Sequence, residues 1–181
     1  MRLSEEDGKR FYDLWLPLLD YVNEKRGVNS NLRDIKLSDC LDPAEVKEVS
    51  DVLWADTNLI DGYLNDAEGI ADNDKELLKS WEHCVSGQFV LERILKKGAI
   101  LISVKVEKVY QVSGIISTWD EMFGFMHLPL MINATLLPFE DVIISDGLIQ
   151  TYNVIIGSNM ARRFKDIYLA EKKNGQICRR L

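Results

Sequence analysis

The spacing of apolar residues changes near Gln88, and this change constrains the fold more than any other feature of the sequence. Before it, apolar residues recur at the three- and four-residue intervals of an amphipathic helix. After it, short apolar and β-branched runs are separated by turn residues. The residues 88–95 fit either a strand or a continued helix. We therefore predict an α+β fold, with a helical domain over residues 1–87 and an antiparallel β domain with a C-terminal helix over residues 88–181.

Three helices are predicted in the N-terminal part. The first covers residues 4–25 and contains Pro17, which removes a backbone hydrogen bond and is expected to kink or divide the helix. The second covers residues 42–65 and opens with an acid at the N-cap and proline at the first helical position. The third runs from residue 74 to the glycine at 87. Residues 28–41 are predicted to form a loop with a short turn.

Several short strands are predicted in the C-terminal part. Residues 99–104 and 109–117 alternate in the manner of strands, and Thr118-Trp119-Asp120-Glu121 forms a capping box that opens one or two helical turns. More strands follow between residues 130 and 156. Short connections without crossover helices are typical of an antiparallel sheet. Five or six such strands are expected to curl into a small barrel-like unit that hides their edges.

The last predicted strands and the C-terminal helix contain the most specific patterns of the sequence. Asp146-Gly147 lies between two apolar runs and predicts a hairpin turn. Gly157 is expected to end the last strand, and Ser158 or Asn159 to cap the helix that follows. Asn174-Gly175 ends that helix, with two lysines in its last turn.

The start of this helix is the candidate binding site. Free N–H groups at a helix N-terminus attract anions, and two arginines lie within the first turns. The alternative is an ordinary capped helix with a solvated basic face. The candidate binding residues are Gly157, Ser158, Asn159, Arg162 and Arg163.

No residues form a recognisable catalytic pattern. His83 and Cys84 are neighbours on a predicted helix, where adjacent side chains point about 100° apart. Cys84 is expected to be a buried small hydrophobe. His127 lies beside a strand start and is expected to have a structural or surface role. The sequence therefore predicts no catalytic residue.

No metal site is predicted either. The sequence contains neither Cys-x-x-Cys nor His-x-x-x-His spacing. Asp56-x-Asn58 begins like a calcium loop, but Ile60 and Asp61 follow where a calcium loop needs a ligand and a glycine. We expect no metal and no cofactor.

The charge is distributed unevenly over a chain with a net charge of −7. Residues 39–76 hold twelve acids and two bases, whereas residues 162–181 hold seven bases and two acids. The acidic part repels polyanions, so nucleic-acid binding is disfavoured except at the C-terminal helix. No apolar run reaches the ~18 residues of a membrane span. A protein partner is therefore expected, and no membrane partner.

The cysteines and the first residues indicate a compartment. Three cysteines, Cys40, Cys84 and Cys178, are far apart and odd in number, which is typical of a reducing environment. The opening MRLSEEDGKR lacks the apolar core of a signal peptide. A cytoplasmic location is the expectation.

One resemblance adds to these inferences and covers roughly the last 100 residues. Leu-Leu-Pro-Phe at 136–139, Asp-Gly-Leu-Ile at 146–149, Tyr152-Asn153 and Gly157 before a basic helix resemble a family of bacterial cytoplasmic proteins of uncharacterised function. Some members of that family also carry the Cys/His-rich SEC-C metal-binding motif. The SEC-C cysteines are absent here, so a zinc-dependent role does not carry over, and the resemblance implies no catalytic residue.

Three functional hypotheses follow. The first is a non-catalytic protein-interaction or regulatory module. The alternative is nucleic-acid or phosphate-ligand binding through the Gly157 turn and the basic helix. The third is an enzyme built on scattered carboxylates, such as Glu121 with Asp141 or Asp146, and it ranks last because nothing in the sequence places these acids together.

Overall fold

The computed structural model describes residues 1–32 and 41–181, so most of the loop predicted at 28–41, with its short turn, and Cys40 lie outside the described residues. The described chain divides into two compact units. The helical unit is Glu5–Cys84. The barrel unit is Met1–Ser4 together with Val85–Leu181. The first four residues belong to the barrel unit because Arg2 forms a parallel bridge with Gly114, and the N–H of Leu3 donates to the Gly114 carbonyl at 3.0 Å.

The helical unit packs its helices around an aromatic and aliphatic core. Its amphipathic helices are α1 (Glu5–Arg26), α2 (Pro43–Ala55), α3 (Asn58–Asp66) and α4 (Asp72–Ser80), and a short 3-10 turn follows at Trp81–His83. The apolar stripes predicted from the sequence meet in this core. Its fully buried side chains include Phe11, Leu18, Leu19, Leu53, Ile60, Leu78 and Trp81.

Three predictions about the helices are corrected. α1 runs through Pro17 and is not divided. The second predicted helix is two helices, because the backbone leaves the helical conformation at Asp56, where φ is −136° and the carboxylate accepts a hydrogen bond from the Asn58 amide at 3.0 Å. The third helix ends at Ser80, so Cys84 lies outside it and is only half-buried.

The barrel unit contains six strands and two helices. The strands are β1 (Val85–Leu95), β2 (Gly98–Ser103), β3 (Val109–Ser113), β4 (Leu130–Phe139), β5 (Val142–Ser145) and β6 (Gln150–Thr151). The helices are α5 (Trp119–Phe123) and α6 (Ser158–Asn174). Residues 88–95 are therefore strand. The predicted capping box is confirmed: the Glu121 N–H donates to the Thr118 hydroxyl at 3.2 Å, and the Thr118 N–H donates to the Glu121 carboxylate at 2.6 Å.

Five of the strands close into a ring. β1 pairs antiparallel with β2 and with β4, β2 pairs with β3, and β4 pairs with β5. A parallel pair between β3 and β5, with Val112 opposite Ile143, completes the ring. This is a five-stranded Greek-key barrel, the architecture of the OB-fold. The predicted α+β fold is confirmed, although the sheet is mixed where a purely antiparallel one was expected.

Each side of the first three strands is buried for a different reason. One set of alternating side chains fills the barrel, as the two-residue period of a strand requires. The other set faces outward and is covered by α6, which explains why all six residues of β2 are buried. The outer cluster comprises Val90, Ile100, Ile102 and Val109 on the strands, with Phe164, Tyr168 and Ile177 from α6 and the tail.

Specific contacts hold α6 on this outer face. The Arg93 guanidinium lies 4.1 Å from the centre of the Tyr168 ring, a cation–π contact. The tail then bridges β3: the Cys178 N–H donates to the Val109 carbonyl at 2.8 Å, and the Gln111 N–H donates to the Cys178 carbonyl at 2.9 Å. The predicted helix end is confirmed by Gly175, whose φ of 69° is the left-handed conformation that glycine adopts readily. The β2–β3 face, on which OB-folds bind ligands, is thus occupied by the chain itself.

The predicted hairpin at Asp146-Gly147 is wrong. β5 and β6 do not pair with each other. Both lie along the same edge of β4, with Ser145 opposite Leu136 and Thr151 opposite Ile132. The Asp146 carboxylate instead accepts the Leu148 N–H at 3.1 Å, which is the Asx turn that aspartate favours.

Candidate functional site

The chain leaves the sheet directly after β6. The Tyr152 N–H donates to the Met131 carbonyl of β4 at 2.9 Å. The Val154 N–H then donates back to the Tyr152 carbonyl at 2.8 Å, forming a γ-turn of the kind found at strand ends. The prediction that the last strand reaches Gly157 is therefore wrong, since β6 ends at Thr151. The γ-turn places Val154 and Ile155 on the surface, with 53% and 96% of their area exposed.

These residues belong to a longer stretch without charge, which we call the uncharged segment and define as Gly147–Ala161. It lies between Asp146 and Arg162 and contains fifteen residues without a single acid, base or histidine, in a chain that is 28% charged. None of the fifteen is buried, ten are exposed and five are partly buried. β4 also lies in a stretch without acids and bases, but most of its residues are buried. The uncharged segment therefore lacks charged residues, as protein interiors do, although most of it lies at the surface.

The uncharged segment ends in the first turn of α6. The N-cap is Gly157, with φ −66° and ψ 158°, and no side chain caps the helix. The prediction that Ser158 or Asn159 caps it is wrong, because both residues lie inside the helix. The first helical bond runs from the Ala161 N–H to the Gly157 carbonyl at 2.9 Å. A Cβ atom at Gly157 would meet nothing within 4 Å, so the space beside the N-cap is open.

The two arginines predicted at this site have different surroundings. Arg163 forms an ion pair with Glu107, which lies between β2 and β3 and has a φ of 53°. Arg162 is exposed and makes no ion pair with any residue in the ranges 1–32 and 41–181. Arg162 is therefore the arginine that remains available for a ligand.

The scattered carboxylates are each engaged in a separate local structure. Glu121 completes the α5 capping box, and Asp141 pairs with Arg180 at 2.7 Å. Asp146 is buried in its Asx turn. These contacts give each acid a structural role, which leaves the carboxylate-enzyme hypothesis without a positive observation.

The remaining polar candidates are also accounted for individually. His83 and His127 are both exposed. Asp56 pairs with Arg26 at 2.6 Å and accepts the Asn58 amide, so neither oxygen of this carboxylate is left for a calcium loop. Within the described residues, no three His, Cys, Asp or Glu side chains are grouped closely enough to hold a metal ion.

Comparisons with known proteins add no identification. No family model, no curated protein and no solved structure matches this chain. The resemblance to proteins associated with the SEC-C motif therefore stays a prediction. In the described parts of the chain, no helix has the combination of length and apolar character that crossing a bilayer requires.

Sequence reasoning located the start of α6 but missed the residues before it. Val154 and Ile155 look like strand residues because β-branched side chains favour strands. The signal that could have found them is the absence of charge from Gly147 to Ala161, which an exposed stretch rarely shows. The candidate site is thus the whole uncharged segment, with Arg162 at its end.

The α5 capping box generates a prediction about pH. Hydrogen bonds from the Thr118 backbone N–H, and then from its hydroxyl, hold the pKa of the Glu121 carboxyl below its usual value of 4.5. A lowered folded-state pKa contributes stability that is present above the unfolded pKa and is lost as pH falls through the folded value. Glu121→Gln preserves the shape of the box without titrating. We expect the wild type to have the larger free energy of unfolding at neutral pH and the difference to shrink in acid.

Urea unfolding of both proteins over a series of pH values measures this difference. A difference that stays constant from neutral to strongly acidic pH would contradict the assignment of Glu121 to the capping box.

Proposed function

We propose that the chain is a non-catalytic protein-interaction module whose docking surface is the uncharged segment. The observation that carries the proposal is a run of fifteen consecutive uncharged residues of which ten are exposed, with Ile155 at 96% and Val154 and Met160 near one half. Exposed apolar patches mark interaction sites, and the buried centre of a protein interface is depleted in charged residues.

The barrel supports this choice because its interior and its β2–β3 face are filled. Its interior is packed with side chains such as Phe89, Leu101 and Trp119. Its β2–β3 face is covered by α6. An OB-type barrel that bound single strands there would present aromatic and basic side chains, but the covered strand residues are Val90, Ile100, Ile102 and Val109. Ile155 of the uncharged segment is the most exposed large apolar side chain on this unit, at 96%, ahead of Phe125 at 81%.

A photo-crosslinking experiment tests the proposal. A benzophenone amino acid replaces Ile155 in the full chain, expressed in the cells from which the protein comes. We expect irradiation to join the chain to a discrete protein partner, because the side chain at position 155 would be buried in the interface.

The matched control places the same amino acid at Leu169, which is also apolar, lies on the neighbouring helix α6 and is 45% exposed. Equal adducts at both positions, or none at position 155, would contradict the proposal, because a docking surface must react more than another exposed apolar position.

A second candidate function is the binding of a phosphate-bearing ligand, including nucleic acid, at the start of α6. Its support is the uncapped first turn beyond Gly157, with Ser158 and Asn159 exposed, and the exposed Arg162, which makes no ion pair with a described residue. Backbone N–H groups there offer directional donors, and a guanidinium matches two oxygens of one phosphate. The prediction that Arg163 takes part is weakened by its ion pair with Glu107.

Calorimetric titration with nucleotides and short oligonucleotides tests this candidate. Arg162→Ala should weaken binding by about 1–3 kcal/mol, the range for charge-assisted hydrogen bonds. Gly157→Asp should abolish binding, because its carboxylate would cap the same N–H groups from within the chain. Arg163→Ala is the matched control and should change binding less. Absence of heat at millimolar ligand would end this candidate and leave the interaction module.

A further inference from the structure

The charges that bound the uncharged segment are unequal in exposure. Asp146, which precedes it, is 1% exposed and held in its turn, whereas Arg162, which follows it, is exposed. The segment therefore meets solvent beside a positive charge and not beside a negative one.

The net charge of the barrel unit has the same sign as Arg162, although the helix neighbours of Arg162 include one exposed acid, Asp166, four residues further on. The first turn of α6 contains no acid. Lys165 is exposed one turn further along, and Asp166 is the one acid before Glu171. Arg163 is neutralised by Glu107. Over the barrel unit as a whole, thirteen bases stand against nine acids, a net charge of +4, whereas the helical unit holds nine bases and twenty acids, a net charge of −11. The net negative charge of the chain thus comes from the helical unit, and the uncharged segment belongs to the unit with a net positive charge.

We propose that the partner of the uncharged segment is an acidic peptide segment with apolar side chains. The proposal rests on the docking function and names the partner's chemistry. The apolar side chains would cover Val154 and Ile155, and a carboxylate would lie beside Arg162. Complementary charge around an apolar centre selects partners and speeds association more than it adds affinity.

Fluorescence anisotropy with the full chain and two labelled peptides tests the proposal. Both peptides carry the same leucine and phenylalanine residues, with glutamate at the polar positions of one and lysine at those of the other. The acidic peptide should bind at least about tenfold more tightly at low salt, and added salt should reduce the difference.

Three variants locate the binding on the molecule. Ile155→Ser should weaken both peptides, since it removes the most exposed apolar side chain. Arg162→Glu should abolish the preference for the acidic peptide. Lys97→Glu makes the same charge change at an exposed lysine in the β1–β2 turn, and it should alter the preference less than about twofold if the attraction is local.

Several results would overturn the proposal. Equal binding of the two peptides, no binding of either at millimolar concentration, or equal effects of Lys97→Glu and Arg162→Glu would each do so. Tighter binding of a single-stranded oligonucleotide than of the acidic peptide would favour the phosphate-ligand function instead. If position 155 still crosslinks a protein partner while the acidic preference is absent, the docking function stands and the acidic partner is rejected.

Discussion

Strand β4 is the element on which the barrel unit depends. One of its edges pairs with β1 from Leu130 to Leu136, and its other edge pairs with β5 and then with β6. Without β4 the ring cannot close, because β5 would lose its antiparallel neighbour and β1 one of its two, which would leave unpaired backbone groups in a buried sheet. The same strand sets the position of the uncharged segment, since the Tyr152 N–H makes the last hydrogen bond to β4 before the chain leaves the sheet.

The second constraint is the coverage of the outer face by α6. Four aliphatic side chains on the first three strands would be exposed without it. Burying Phe164 and Tyr168 against them contributes about 1.5–3 kcal/mol for each large side chain. Helix α6 therefore buries the β2–β3 face, on which OB-folds generally bind ligands. The chain between β6 and α6 is exposed because it connects an edge of the barrel to this cover.

The sequence predicted what local patterns determine. The alternation of apolar residues located the strands, the Thr118–Glu121 spacing located a capping box, and Asn174-Gly175 located the end of α6. It did not predict what distant residues determine. The parallel pairing of β3 with β5 joins residues thirty-one positions apart, such as Val112 and Ile143, and no local signal specifies it. The same reason explains Asp146-Gly147, where a sequence typical of a hairpin connects two strands that both pair with β4.

The candidate site shows the same division. The helix start at Gly157 was readable from its neighbours, but the separation of Arg162 from Arg163 depends on Glu107, which lies in a distant loop. The exposure of Val154 and Ile155 depends on where β4 ends its pairing with β6, and a strand-like composition concealed it. Composition gave a usable signal, the absence of charge, whose meaning became clear only with the burial of each residue.

The central claim is that the uncharged segment is open surface in the chain on its own. Amide hydrogen exchange, resolved residue by residue, tests it most directly. Amides that make no sheet bond, from Asn153 to Met160, should exchange rapidly, whereas the β4 amides between Leu130 and Leu136 should exchange only through larger opening. Protection of the uncharged segment equal to that of β4 would show that the chain covers it by itself and would contradict the account.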